Sequence, residues 1–143
     1  MDSTPLAAPV AVDYRETSGF GQRVDPFTGR AAVHEGQDFG GPRNAPVLAT
    51  APGIVVEAGR AGAYGNMVEI DHGMGIHTRY GHLRRVLVKV GQPISVSQQL
   101  GIMGSTGRST GAHLHYEIRV DGRALDPMNF LAAGGQLLQL VGN

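Results

Sequence analysis

The residues best suited to chemistry in this chain are histidines and one carboxylate. HLHYEIRV, His113 to Val120, sets two imidazoles two residues apart at the start of a strand-like run, HEGQD carries His34 and Asp38, and YGHL carries His82. There is no cysteine, so disulfides and thiolate ligands are excluded and a first-row metal site must be built from imidazole and carboxylate. Two histidines, one aspartate and a water form a set used by hydrolytic zinc, because three protein ligands leave one coordination position open. Water held there has its pKa lowered toward about 7, and the ion also polarises a carbonyl. A neighbouring imidazole outside the coordination shell can take and return protons near neutral pH. Such chemistry wants more histidines than the metal alone does, and His34, Asp38, His82, His113 and His115 all qualify.

Spacing constrains how these groups can meet. In a strand, residues i and i+2 share a face. His113, His115, Glu117 and Arg119 therefore form a polar face, opposite Leu114, Tyr116, Ile118 and Val120. If both histidines of HLH ligated alongside His34 and Asp38, four protein ligands would close the site; if one stayed out, it would become a base. Spacing leaves both open. A straight strand would hold His34 and Asp38 roughly 13 Å apart, too far to converge on one ion. Gly36, Gly40 and Gly41 oppose a helical turn, so a bend at Gly36 is the expected solution. Around YGHL, simple alternation puts His82 on the face of Ile76, Thr78 and Tyr80, away from His77 and Arg79. His72, in the turn-like DHGMG, and His77 read as surface histidines without a role.

The elements that must position these residues read as short strands. A length of 143 residues fits one domain with a real core. Twelve basic and twelve acidic side chains cancel, which gives no general attraction to nucleic acid or anionic membrane. No stretch reaches the roughly 20 apolar residues of a membrane span, and the first residues lack the basic start and apolar block of a signal peptide. Twenty-two glycines and eight prolines imply many tight turns. Strands are expected over Pro46–Glu57 with a turn at Pro52-Gly53, and over Asn66–Asp71, Gly75–Leu83, Val86–Val90, Ile94–Val96, Leu100–Met103, His113–Val120 and Ala124-Leu125, the last two joined by a turn at Asp121-Gly122. Pro127–Ala133 fits one short helical turn. Together these predict an all-β fold, a small open sandwich or barrel-like sheet. Residues 1–14 and 135–143 read as loosely attached ends around a domain at 15–134.

From about Thr17 to Phe130 the chain resembles the LytM/lysostaphin-type peptidases, the zinc endopeptidases of the M23 family. The resemblance rests on TSGFGQR, HEGQDF, PVLATAPGIVV, YGNMVEIDHG, TRYGHL and GSTGRSTGAHLHYEI, in that order. It implies an open β-structure with a groove over the sheet, in which His34, Asp38 and His115 hold Zn²⁺. It further implies that His113 does not ligate and acts as general base, with His82 as a companion that stabilises the oxyanion or helps proton transfer. The division of work between His82 and His113 stays open. The implied substrate is the peptide stem or cross-link of bacterial peptidoglycan, at Gly-Gly or D-Ala bonds, and the implied location is periplasmic or extracellular. No wall-binding domain is recognisable, so targeting would come from elsewhere or from a longer precursor, and a missing segment or regulatory partner could cover the site.

Three other functions have some basis. A non-hydrolytic member of the same fold would bind or activate another wall enzyme, but such members have lost ligands and all five positions are present here. VKVGQPISVSQQLGIM resembles the hairpin repeat of biotinyl and lipoyl carriers, yet the only lysine, Lys89, lies in a strand-like run and not at a hairpin tip. A four-ligand structural metal site would fold without turning over substrate.

Overall fold

Glycine and its neighbours punctuate the β-branched runs, and the tightest punctuation marks become hairpin turns. Met74 and Gly75 have φ of 55° and 78°, and Asp121 and Gly122 have 51° and 80°. Two consecutive residues at positive φ are what the two-residue I′ hairpin requires, because that turn matches the twist of the strands it joins. The computed structural model describes residues 5, 7–10, 15–18, 21–24, 31–34, 36–40, 44–105 and 113–127, with backbone alone for 15–18, 21–24, 31–34 and 37.

Among these residues the strands are β1 (Arg15–Ser18), β2 (Gly21–Val24), β3 (Ala31–His34), β4 (Gln37–Gly40), β5 (Pro46–Leu48), β6 (Gly53–Arg60), β7 (Asn66–Gly73), β8 (Ile76–Val86), β9 (Pro93–Ile94), β10 (Gln99–Met103), β11 (His113–Val120) and β12 (Arg123–Leu125). A single 3₁₀ turn, Gly62–Tyr64, links β6 to β7. Ten strands form an open antiparallel sheet in the order β1-β4-β11-β8-β7-β6-β9, with β10 joining β8 to β5 and β12 beside β11; β2 and β3 pair separately. The all-β expectation holds. The expected strand Val86–Val90 does not form as a unit. β8 runs on continuously to Val86, and the chain then leaves the ladder toward a turn in which Gln92 N–H donates to the Lys89 carbonyl at 3.1 Å. Beyond Pro127, the expected helical turn lies outside the described residues.

The core lies on one face of the sheet. Phe39, Val47, Val55, Val68, Ile70, Tyr80, Leu83, Leu100, Met103, Leu114, Tyr116 and Ile118 are all buried there. The first residues are not a loose end where they are described. Val10 bridges to Val47 and joins this core, and Leu48 N–H donates to the Pro9 carbonyl at 2.8 Å. Burial of an apolar side chain offsets the entropy of ordering the segment.

A polar chain crosses the core. The Tyr116 hydroxyl donates to Thr50 Oγ1 at 2.8 Å, Thr50 N–H donates to the Tyr80 hydroxyl at 3.1 Å, and Thr78 Oγ1 lies 2.9 Å from that hydroxyl. His72 ends the chain, with Nε2 2.7 Å from Thr78 Oγ1 and Nδ1 2.7 Å from the Pro52 carbonyl. A carbonyl only accepts, so Nδ1 carries a proton. His72 is therefore a buried structural histidine and not the surface group expected from its turn-like context.

Burial lowers the pKa of His72, against a smaller raising effect of the Pro52 carbonyl. The unfolded chain thus binds the proton more readily than the folded one, and stability from this residue is lost as pH falls through its ordinary value near 6.5. His72→Leu should cost about 1–3 kcal/mol by leaving Thr78 and the Pro52 carbonyl without their partner. It should also flatten the fall in urea midpoint between about pH 7.5 and 5.5. An unchanged pH slope in the variant would remove His72 from this role.

Candidate metal and catalytic site

Asp38 and His115 stand directly opposite each other on paired strands, in the register His113↔Gly40, Leu114↔Phe39, His115↔Asp38. The carboxylate and the imidazole project from the same face of the sheet, with Asp38 Oδ1 2.9 Å from His115 Nδ1. His113 follows on that face, its Nε2 3.9 Å from Asp38 Oδ2. Leu114, Tyr116 and Ile118 point into the core, as the alternation predicts.

His34 ends β3, which pairs with β2, and β4 begins at Gln37 in the large sheet. The chain bends at Gly36 between them. A Cβ at this position would strike the Tyr116 carbonyl and come within 2.9 Å of both Glu117 Cγ and His115 Cε1. Only glycine lets the bend lie against β11 so closely. The side chain of His34 lies outside the described residues. Among the described residues no three His, Cys, Asp or Glu side chains form a metal-holding group.

His82 reaches the site by a route that simple alternation misses. Its φ is 61°, a left-handed backbone uncommon outside glycine and asparagine. The β7–β8 ladder pairs Val68 with Tyr80 and Asn66 with Leu83, so β8 carries an extra residue at this point. Such a bulge shifts the parity of the strand and re-aims one side chain. Tyr80 and Leu83 both enter the core, while the His82 ring lies 5.0 Å from that of His113 and 5.9 Å from that of His115, centroid to centroid. β8 also changes partner here, pairing with β11 up to Gly81 and with β10 from Leu83 onward.

Two further residues belong to the site. Glu117 Oε2 accepts from His115 Nε2 at 2.7 Å and from the Tyr64 hydroxyl at 2.8 Å, while Glu117 Oε1 accepts from Arg119 Nε at 2.8 Å. Tyr64 comes from the 3₁₀ turn and lies 5.8 Å from the His115 ring. Its Cδ1 would be 3.2 Å from a Cβ at Gly81, so that glycine leaves the space Tyr64 occupies. Glu117 was legible as a same-face neighbour of His115 by its i+2 spacing; Tyr64 carried no periodic signal because it sits in a turn.

Electrostatics bind this cluster together. Burial alone would lower the pKa of His115, but hydrogen bonds and charge from Asp38 and Glu117 outweigh it and raise the value to about 9. Burial would raise that of Glu117, and His115, Arg119 and Tyr64 bring it down to about 2. An acceptor oxygen and an imidazole nitrogen side by side, with the second imidazole nitrogen tied to a carboxylate, are what a nitrogen- and oxygen-ligated divalent ion uses. Asp38 and His115 are thus donors of the kind such an ion takes.

Residues 32–127 match the family described as Peptidase family M23. The chain belongs to that family. This M23 domain is 45% identical over 121 residues to the peptidoglycan DD-endopeptidase ShyA of Vibrio cholerae, covering 84% of the chain but 28% of ShyA. A solved structure described as a zinc containing peptidase from Vibrio cholerae is similar with a TM-score of 0.78 and 43% identity, over 84% of this chain and 38% of that one. The catalytic domain of the antimicrobial peptidase lysostaphin from Staphylococcus simulans gives a TM-score of 0.74 at 36% identity, covering 83% of this chain and 92% of that domain. The chain thus spans under a third of ShyA and nearly all of the lysostaphin catalytic domain. M23 membership implies a metal cofactor.

The Gly36 geometry yields a direct test. Gly36→Ala should destabilise the M23 domain by about 1–3 kcal/mol, the usual cost of forcing a methyl group into filled space. Urea denaturation reads it, and a variant as stable as the parent would contradict the close approach to β11.

Proposed function

We propose that this M23 domain is a zinc-dependent endopeptidase that hydrolyses peptide cross-links of bacterial peptidoglycan, acting in the cell envelope outside the cytoplasm. The observation that carries the reading is the meeting of Asp38 and His115 at 2.9 Å beside the rings of His113 and His82. Identity of 45% to a protein named a peptidoglycan DD-endopeptidase supports the substrate class and favours a bond between D-centres over Gly-Gly. Among the described residues no helix is long and apolar enough to cross a membrane.

His34, Asp38 and His115 would hold the ion. When bound, zinc supplies a Lewis acid that lowers the pKa of a water and polarises the scissile carbonyl. His113 takes a proton at Nε2, the atom 3.9 Å from Asp38 Oδ2, and returns it to the leaving amine. His82 offers an N–H to the oxyanion that develops on the carbonyl. Their rings lie 5.0 Å apart, close enough for both to act on the same reacting group. The substrate peptide lies along the polar face of β11 and β8, where these side chains project. The presence of all five residues supports catalysis over a purely regulatory role.

Digestion of defined cross-linked muropeptides with and without chelator, read by mass spectrometry, tests the proposal. Zinc-loaded protein should cleave and chelated protein should not. His115→Ala should lose both zinc and turnover. His113→Ala should keep zinc and lose about 10²–10⁴-fold in turnover, the usual range for a general base. Loss of zinc in the His113 variant would reverse the two roles, and inert zinc-loaded parent protein would end the hydrolase reading.

A further inference from the structure

We infer that Glu117 is the positioning residue for the metal: it grips His115 at Nε2 so that Nδ1 is presented beside Asp38, and it is held in turn by Tyr64 and Arg119. This rests on the zinc site proposed above and goes beyond its three ligands.

Glu117 is 2% exposed although it lies on the polar face of β11. A buried carboxylate is costly unless its oxygens are satisfied, and these are. Oε2 takes the His115 Nε2–H and the Tyr64 hydroxyl, at 2.7 and 2.8 Å. Oε1 takes Arg119 Nε at 2.8 Å, with Arg79 Nη1 at 3.8 Å. Arg79 is itself fixed, donating from Nε to Glu69 at 2.8 Å and from Nη1 to the Tyr64 hydroxyl at 3.0 Å. The carboxylate therefore cannot swing away from His115 without breaking several charge-assisted bonds.

Its effect on His115 is chemical as well as geometric. An acceptor at Nε2 keeps a proton on that nitrogen, so the proton a cation would displace is the one on Nδ1, whose lone pair then faces the ion beside Asp38. Drawing on that proton also makes Nδ1 a stronger donor, the usual reason a ligating imidazole carries a carboxylate behind it. His115 and Glu117 are two residues apart on one strand, so their relative position is set by the pleat and not by a loop. Gly36 leaves both side chains room, and Tyr64 covers the pair.

Zinc affinity of the purified chain, measured by competition with a chromophoric chelator, tests this without reference to turnover. Glu117→Gln should bind zinc about 10–100-fold more weakly than the parent, with the d–d absorption of the cobalt-substituted protein shifted. Tyr64→Phe removes one bond to Glu117 and should weaken zinc in the same direction by less. Glu57→Gln, exposed on β6 and outside this network, should leave affinity unchanged. Equal affinity in Glu117→Gln and parent, or an equal loss in Glu57→Gln, overturns the inference. Should Glu117→Gln fail to fold, Tyr64→Phe decides: weakened zinc supports the inference and unchanged zinc overturns it. A parent that takes up no zinc defeats the metal site itself, whereas a parent and a Glu117→Gln variant that bind alike defeat only the role of Glu117.

Discussion

Asp38 faces His115 because Phe39 faces Leu114. The two pairs are consecutive rungs of the β4–β11 ladder, and strand pleating sends them to opposite faces. Phe39 and Leu114 are completely buried, so a slip of one residue would drive a carboxylate and an imidazole into the core and expose both apolar groups. The packing of one face thus sets the chemistry of the other. Neither strand is an edge, since β1 flanks β4 and β8 flanks β11, and the register is held from both sides.

His82 depends on a second departure from regularity. A residue held at φ 61° costs on the order of 1–3 kcal/mol unless its surroundings enforce it. Here the surroundings do: Tyr80 and Leu83 are anchored in the core on either side of the bulge, and β8 exchanges β11 for β10 at the same point. The place where the sheet changes partner is where three imidazoles gather. Strain of this kind, kept by packing at a point of convergence, is common where a fold carries chemistry.

The two faces of the sheet carry different hydrogen-bond networks. On the core side, His72, Thr78, Tyr80, Thr50 and Tyr116 form a chain in which a single carbonyl dictates where His72 keeps its proton. On the polar side, Arg119, Glu117, Arg79 and Glu69 alternate in charge across β11, β8 and β7, and His77 Nδ1 lies 2.7 Å from Glu69. Satisfied networks of this kind rigidify what they touch. His115 is attached to the polar one through Glu117, so a metal ligand inherits the stiffness of three strands.

Much of this protein was readable without coordinates. Glycine-punctuated β-branched runs predicted an all-β sheet, the HLHYEIRV alternation predicted its two faces, and Gly36 predicted the bend between His34 and Asp38. Each is a local consequence of covalent geometry: pleat period, the missing Cβ of glycine, the reach of four residues. What local rules misplaced was non-local. His82 was assigned to the wrong face because parity counts only until a bulge, and the bulge shows only in the pairing of β8 with β7, where Val68 meets Tyr80 but Asn66 meets Leu83. His72 was taken for a surface group because burial is conferred by residues distant in the chain. Tyr64 opened one of the family motifs but gave no sign of its role, because its partners, Glu117 and Arg79, come from strands that follow it. The sequence by itself determined which side chains share a strand face, since that follows from the backbone alone. Only the tertiary structure decided which strands lie side by side and where one of them breaks step, since that is settled by packing the whole core at once.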